Sequence, residues 1–397
     1  MRVNYGQTVH GEEEIEAVVN VLRSSTQMGK HVREMQSGVA KLFDKSHGIM
    51  VNSGSSANFI AVALLDLPKG AEVITPALTF ATTVAPMVQH GLVPAFIDAE
   101  DGTYNADADQ IEAMIGPDTR AIMIPSLIGN LPDWTRIREI AERHNLIVIE
   151  DSADTLGATI GGESTGVNSA ISTTSFYGSH VINGAGNGGM LCVNDDDLAR
   201  RALLLRSWGR TSSLFQEGSE AIENRFNVEL DGISYDAKFL FEELGYNLEP
   251  SEISAAFGLV QLGKLDRNIT AREENFAQHL AFFRDYEEWF ILPRQLPDSR
   301  TGWLAFPLTL REGAPFTRRD MQIFLEKREI QTRPVFTGNI LRQPAMADVE
   351  SRRRAEGYPV ADQVMRGGIL LACHHGLDQP QIDYMHEAFT AFAKERG

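Results

Sequence analysis

Three short stretches of the chain carry side chains whose types and spacing can do chemistry. The first is Asn52-Ser53-Gly54-Ser55-Ser56-Ala57-Asn58, which follows an apolar run and opens a helical pattern. The first N–H groups of a helix have no intrahelical partner, so a glycine and serines there offer donors that suit an oxyanion such as phosphate. An ordinary serine cap gives the same text, and the segment by itself leaves both readings open. The second stretch is Ile147-Val148-Ile149-Glu150-Asp151-Ser152-Ala153-Asp154. It sets acids at the carboxyl end of a buried strand, where open α/β sheets bind their ligands. A carboxylate buried there needs a cationic partner, and a helix-capping aspartate is the plainer alternative. The third runs from Ser175-Phe176-Tyr177-Gly178-Ser179-His180 to Asn187-Gly188-Gly189-Met190. A histidine moves protons near neutral pH, but it has no primary amine and forms no imine. A purely structural role is the alternative for a lone histidine.

The elements that must position these residues are legible from residue 48 to 195. Short apolar runs at 48–52, 72–75, 93–97, 121–125, 146–150, 172–176 and 190–193 alternate with helical patterns such as 57–65 and 135–144. Several runs are β-branched and nearly uninterrupted, as expected of strands covered on both faces by helices. The expected fold class is α/β with a large, mostly parallel mixed sheet. After residue 198 the texture changes. A polar, irregular stretch (211–238) precedes a helical pattern from 251 toward 283. A strand (303–308), a helix (318–327), a strand (330–335) and an apolar run (368–373) follow. These predict a smaller C-terminal α+β domain, with residues 1–260 forming the large domain and 261–397 the small one. No Gly-x-Gly-x-x-Gly follows an early strand, so a Rossmann dinucleotide site is not expected.

Bulk composition excludes several classes. With 36 Lys plus Arg against 54 Asp plus Glu, the formal charge is −18. That is the wrong sign for a general nucleic-acid binder, though a few local cations suffice for one diphosphate. Two cysteines, Cys192 and Cys373, are too few for a disulfide framework or a four-cysteine cluster. Cys192 sits in the apolar run Gly-Met-Leu-Cys-Val and reads as a core thiol. The N-terminus lacks an apolar signal region, and no run of 18 uncharged apolar residues occurs. A cytoplasmic protein without a membrane partner is expected.

Order, spacing and flanking text together resemble the DegT/DnrJ/EryC1/StrS family of sugar-modifying enzymes, on the aspartate-aminotransferase fold. The resemblance runs over nearly the whole chain. It takes in Gly11-Glu12-Glu13-Glu14-Ile15, the 52–58 segment, Thr75-Pro76-Ala77-Leu78-Thr79-Phe80, Gly245-Tyr246-Asn247 and Glu252-Ile253-Ser254-Ala255-Ala256. It implies a pyridoxal-phosphate-dependent transferase fold of type I. A phosphate site is implied at Gly54, Ser55, Ser56 and Ser175, with Asn247 reaching it from the other subunit of a homodimer with shared active sites. Phe80 matches the aromatic residue that stacks on the cofactor ring. Asp151 matches the carboxylate that pairs with the pyridine nitrogen and keeps the ring an electron sink.

Departures from the aminotransferase pattern point one way. His180 stands where the family carries the lysine that holds the cofactor as a Schiff base, and Asp154 stands where a glutamine is usual. The segments 127–131 and 332–339 are similar to those of the sugar 3-dehydratases, in which a histidine replaces the lysine and pyridoxamine phosphate works untethered. Some of those enzymes hold an iron–sulfur cluster on cysteines that follow a Trp-Gly-Arg run. Here Trp208-Gly209-Arg210 is followed by Thr211, Ser212 and Ser213. The resemblance therefore implies a cluster-free, metal-free 3-dehydratase with glutamate as amino donor and a nucleotide-linked 4-keto-6-deoxyhexose as substrate. His180 would be its proton-transfer base, since an unperturbed pKa of roughly 6.5 keeps imidazole largely neutral at working pH. Asp154 is a second, weaker candidate for proton transfer. Arg333 is a candidate diphosphate contact, with Arg342 and Arg352-Arg353-Arg354 behind it, the last reading better as a solvated helix face. An aminotransferase of the same family and a non-catalytic cofactor- or sugar-binding relative are the alternatives.

Overall fold

The structure, a computed structural model, describes residues 1–214, 225–226 and 228–396. Its centre is a seven-stranded sheet. In chain order the strands are β1 (His47–Val51), β2 (Glu72–Pro76), β3 (Val93–Ile97), β4 (Thr119–Pro125), β5 (Ile147–Asp151), β8 (Ile171–Ser175) and β9 (Gly189–Val193); β6 (Thr159–Ile160) and β7 (Glu163–Ser164) form a hairpin outside it. The order across the sheet is β1-β9-β8-β5-β4-β2-β3, with β9 alone antiparallel to its neighbours. All seven predicted strands are present, each within two residues of its expected bounds. Their β-branched and apolar side chains fill both faces. Ile49, Val51, Val73, Met123 and Ile149 pack on one side and Ile74, Ile97, Ile122 and Ile124 on the other.

The parallel strands all end on the same edge, so Pro125, Asp151 and Ser175 are brought side by side. Helices α1 (Glu12–Ser24) and α2 (Lys30–Leu42) precede the sheet; α3 (Gly54–Leu64) starts at that edge, and α4 (Ala81–Gln89) starts just after Phe80. Glycine is required where α3 meets the sheet. A Cβ on Gly54 would lie 2.6 Å from the Ser175 Cβ, and one on Gly189 would lie 2.3 Å from the Ser53 carbonyl carbon.

The C-terminal part builds a second sheet of four antiparallel strands, Phe290–Ile291, Ala305–Leu310, Gly368–Ala372 and Arg333–Pro334, in that order. The strand expected over 330–335 is cut to two residues, because Pro334 has no N–H to extend the ladder. Ile330 instead bridges Val3 of the N-terminal segment. The helical pattern from 251 toward 283 is two helices, Glu252–Leu262 and Leu265–Phe283, interrupted at Gly263, a poor helix former. Of the polar stretch 211–238, residues 215–224 and 227 lie outside the described residues. The rest forms short turns and the hairpin Val228–Leu230/Ile233–Tyr235. Among the described residues no helix is long and apolar enough to cross a membrane.

Candidate active site

A cavity of about 470 Å³ opens at the strand ends and collects most of the predicted residues: Gly54, Ser55, Phe80, Asp151, Asp154, Ser175 and His180. Its lower end is the start of α3. Ser53 caps that helix by accepting the Ser56 N–H at 3.1 Å. The N–H groups of Gly54 and Ser55 keep no partner among the described residues, as the first turn of a helix dictates. With the hydroxyls of Ser55 and Ser175 they form an uncharged cradle of donors at the positive end of a helix, the arrangement that holds phosphate. Ser56 stands apart from the cavity. Its hydroxyl donates to Asn52 Oδ1 at 2.6 Å and contacts Ser53 Oγ at 2.9 Å.

Asp151 lies on the cavity floor, 5% exposed. Its Oδ2 accepts from Asn58 Nδ2 and Thr83 Oγ1, each at 2.8 Å, and its Oδ1 accepts the Ala153 N–H at 3.2 Å. No lysine or arginine among the described residues pairs with it. Burial pushes its pKa above the usual carboxylate range, and the three donors oppose that push. A buried carboxylate with three neutral donors and no cation is a site built for a cation brought in from outside. Phe80 stands over the cavity, 47% exposed, its ring edge-on to Phe336 at 5.7 Å between centroids.

His180 follows β8 in a turn closed by its own N–H to the Tyr177 carbonyl, 3.0 Å. Phe176, fully buried, anchors that turn. Nδ1 lies 3.2 Å from the Ser175 carbonyl, which can only accept, so Nδ1 carries the proton and Nε2 holds the lone pair. Nε2 is 3.5 Å from Asp154 Oδ1, and both side chains are only about one-tenth exposed (12% and 11%). Burial lowers the His180 pKa to about 4; its bond to Ser175 opposes this and Arg272 reinforces it. Burial raises that of Asp154 to about 7, with Asp151 adding to the rise and the Ile128 N–H and Arg272 opposing it.

Arg272, absent from the sequence-based candidates, is wholly buried behind this pair. Its guanidinium donates to the carbonyls of Ser179 (2.9 Å) and Trp303 (3.0 Å) and to His375 Nδ1 (3.1 Å), and it reaches no carboxylate. Helix Leu265–Phe283 buries Leu265, Ile269, Arg272, Phe276, His279 and Phe283, so Arg272 falls on its apolar stripe. That three-and-four spacing is the signal that could have found it. Tyr5 was also missed. It lines the cavity, and Arg333 sits over its ring at 5.4 Å.

Arg333 itself is exposed and off the cavity wall, and Asn247 is exposed beyond it. Arg342 is paired with Asp362 (2.5 Å) and Arg352 with Glu72 (2.7 Å), which removes both as free diphosphate contacts. Residues 352–354 form no helix: Arg352 bridges Ala95 on strand β3. Cys192 and Cys373 are buried, the first in the core as expected. No cluster of three metal-ligating side chains occurs among the described residues.

Residues 8–390 match the DegT/DnrJ/EryC1/StrS aminotransferase family. The chain belongs to that family. It is 36% identical over 397 residues to the dTDP-4-dehydro-2,6-dideoxy-D-glucose 3-dehydratase of Saccharopolyspora spinosa, covering 98% of this chain and 85% of that one. It is 30% identical over 356 residues to the GDP-perosamine synthase of Caulobacter vibrioides, covering 90% of this chain and 88% of that protein. The solved structure of Escherichia coli GDP-4-keto-6-deoxy-D-mannose 3-dehydratase with bound hydrated pyridoxal phosphate superposes with a TM-score of 0.88. It is 27% identical and covers 98% of this chain and all of that one. The fold is thus that of the pyridoxal-phosphate-dependent aminotransferases, as the sequence predicts. The residues present fit that cofactor: a cradle of donors at Gly54, Ser55 and Ser175, a carboxylate without a cationic partner at Asp151, and an exposed aromatic ring at Phe80.

Proposed function

We propose that the protein removes the C3 hydroxyl of a nucleotide-linked 4-keto-6-deoxyhexose, using pyridoxal/pyridoxamine phosphate with L-glutamate as amino donor. One observation carries the reading. Among the described residues no lysine lines the cavity, and the side chain at the expected lysine position is a histidine whose Nε2 lone pair points into it. Bound there, the cofactor would supply an amine to engage the sugar's C4 ketone and a protonated ring to delocalise the electrons left by deprotonation. Gly54, Ser55 and Ser175 would hold its phosphate, Asp151 its ring nitrogen and Phe80 its face. His180, held neutral by burial, takes the proton from the carbon to be deprotonated. The walls, Leu127 and Leu304 buried and Tyr5 and Phe336 half-buried, limit water at that point. The 3-dehydratases among the relatives support the reading, and a site without iron–sulfur or other metal chemistry belongs to it.

The working unit we propose is a homodimer with shared sites. Phe226, Ile233, Phe239, Phe241 and Leu244 are all exposed, Leu244 at 94%, next to Asn247. Exposed apolar side chains gathered in one stretch of chain are what a protein interface covers, and a twofold partner is the commonest way to cover them. Mass spectrometry after incubation with glutamate, cofactor and a panel of GDP-, CDP- and dTDP-linked 4-keto-6-deoxy sugars tests the activity. The expected product is a 4-keto-3,6-dideoxy sugar with free ammonia. A retained amino group would make the enzyme an aminotransferase instead.

A further inference from the structure

Asp154 and His180 line one cavity, with Asp154 Oδ1 3.5 Å from His180 Nε2. Their remaining atoms are fixed from behind. His180 Nδ1 is committed as donor to the Ser175 carbonyl. Asp154 Oδ2 accepts the Ile128 N–H at 3.0 Å. That N–H is offered from a costly conformation: Ile128 is a β-branched residue at φ 63°, ψ 9°, in the left-handed region. It is held there by the Leu304 N–H, which donates to the Ile128 carbonyl at 2.9 Å, and by Gly129, where a Cβ would lie 2.6 Å from the Leu304 nitrogen. The consequence is a carboxyl group whose one free oxygen faces both the imidazole lone pair and the cavity.

We propose that Asp154 is the acid that protonates the departing C3 hydroxyl, working beside His180 as the base of the same turnover. The step rests on the dehydratase reading above. It balances as follows. The C–H bond beside the amine would break, its proton going to His180 Nε2 and its electron pair shifting through the amine nitrogen to form the sugar's C3–C4 double bond. The C3–O bond breaks with its electron pair on oxygen, and the Asp154 Oδ1 proton completes a water molecule. The imidazolium and carboxylate so formed face each other across 3.5 Å, and one proton passed from Nε2 to Oδ1 restores the pair.

The surroundings favour this distribution over the usual imidazolium–carboxylate pair. Around Asp154 stand Asp151, Arg272, the Tyr5 phenol and the Ile128 N–H; around His180 stand the Ser175 carbonyl, the Tyr177 ring and Arg272. Burial disfavours both charged forms, Asp151 disfavours a second carboxylate and Arg272 disfavours an imidazolium. Carboxyl titration near 7 and imidazole titration near 4 leave the acid-plus-base form dominant between those values. Environments that push two titrating groups apart are how acid and base duties are assigned. The Tyr5 phenol is pushed still further above its ordinary range by burial, so it is a poor source of a transferable proton.

Asp154→Asn keeps the shape and removes the proton. Two readings decide the case. In the cofactor-free protein, carboxyl carbon NMR should show one carboxyl titrating near 7 that is missing from Asp154→Asn. In the loaded enzyme, Asp154→Asn should slow dehydration by about 10²–10⁴, the usual worth of a positioned proton donor, while the spectral change on adding glutamate persists. Loss of the glutamate response in both wild type and variant would instead overturn the underlying cofactor reading. No carboxyl titrating above 5.5, or dehydration by Asp154→Asn at the wild-type rate, would overturn the acid assignment.

Discussion

Asp151 and Asp154 are three residues apart, both buried, and both lifted above the ordinary carboxylate range by burial. Their support differs. Asp151 receives two side-chain donors and one N–H, all uncharged, and faces the place where a cation would complete it. Asp154 receives a single N–H and faces an imidazole lone pair. On the proposed reading the first serves as a carboxylate awaiting a cation and the second as an acid. Burial alone does not set a carboxyl group's duty, and the number and kind of its donors divides two otherwise equal residues.

The comparison breaks most visibly at Asp151. Asp151→Asn should weaken cofactor affinity by on the order of 10²-fold or more, since losing one partner of a buried pair costs about 3–5 kcal/mol. Equilibrium dialysis measures it, and both half-reactions should fall together. His180→Asn should leave that affinity within a few-fold, because the phosphate and ring contacts come from other residues, and should cut dehydration by about 10²–10⁴. Single-turnover assays at saturating cofactor separate the two cases. Near-normal dehydration by His180→Asn would move the base to Asp154 and erase the distinction.

The smallest effect is on stability against pH, and it sharpens the contrast through sign. A folded-state pKa below the unfolded one adds stability as pH rises toward the unfolded value; a raised one removes it over its own window. His180, His374 and His386 are lowered to about 4, chiefly by burial, so they should add stability from pH about 4 to 6.5. Asp154, raised to about 7, opposes them over nearly the same interval. Cofactor-free Asp154→Asn should therefore show a steeper rise in Tm between pH 4 and 6.5 than wild type, by thermal melts across pH. An unchanged slope would mean Asp154 titrates normally.

What the sequence revealed follows the same physics. All seven large-sheet strands are legible, because strands covered on both faces read as apolar runs whatever surrounds them. Gly54, Ser55, Asp151, Ser175 and His180 are legible because each sits at a strand end or helix start, where backbone geometry and local text coincide. Arg272 and Tyr5 are not. Tyr5 reaches the cavity wall from the N-terminal segment, and Arg272 lies behind His180 from a helix more than ninety residues further on, where only the apolar spacing of that helix hints at it. The role of Ile128 is hidden for a further reason: nothing in the text Leu-Ile-Gly announces a left-handed isoleucine. The exposed apolar side chains near Asn247 read as irregular chain, since the homodimer face proposed for them would leave no periodic mark.

The central claim is that His180 leaves the cofactor untethered. Borohydride reduction of the holoenzyme followed by intact-protein mass spectrometry tests it most directly. The polypeptide mass should be unchanged in the wild type, whereas His180→Lys should gain one pyridoxyl phosphate. A stable adduct on any lysine of the wild-type chain would contradict the account.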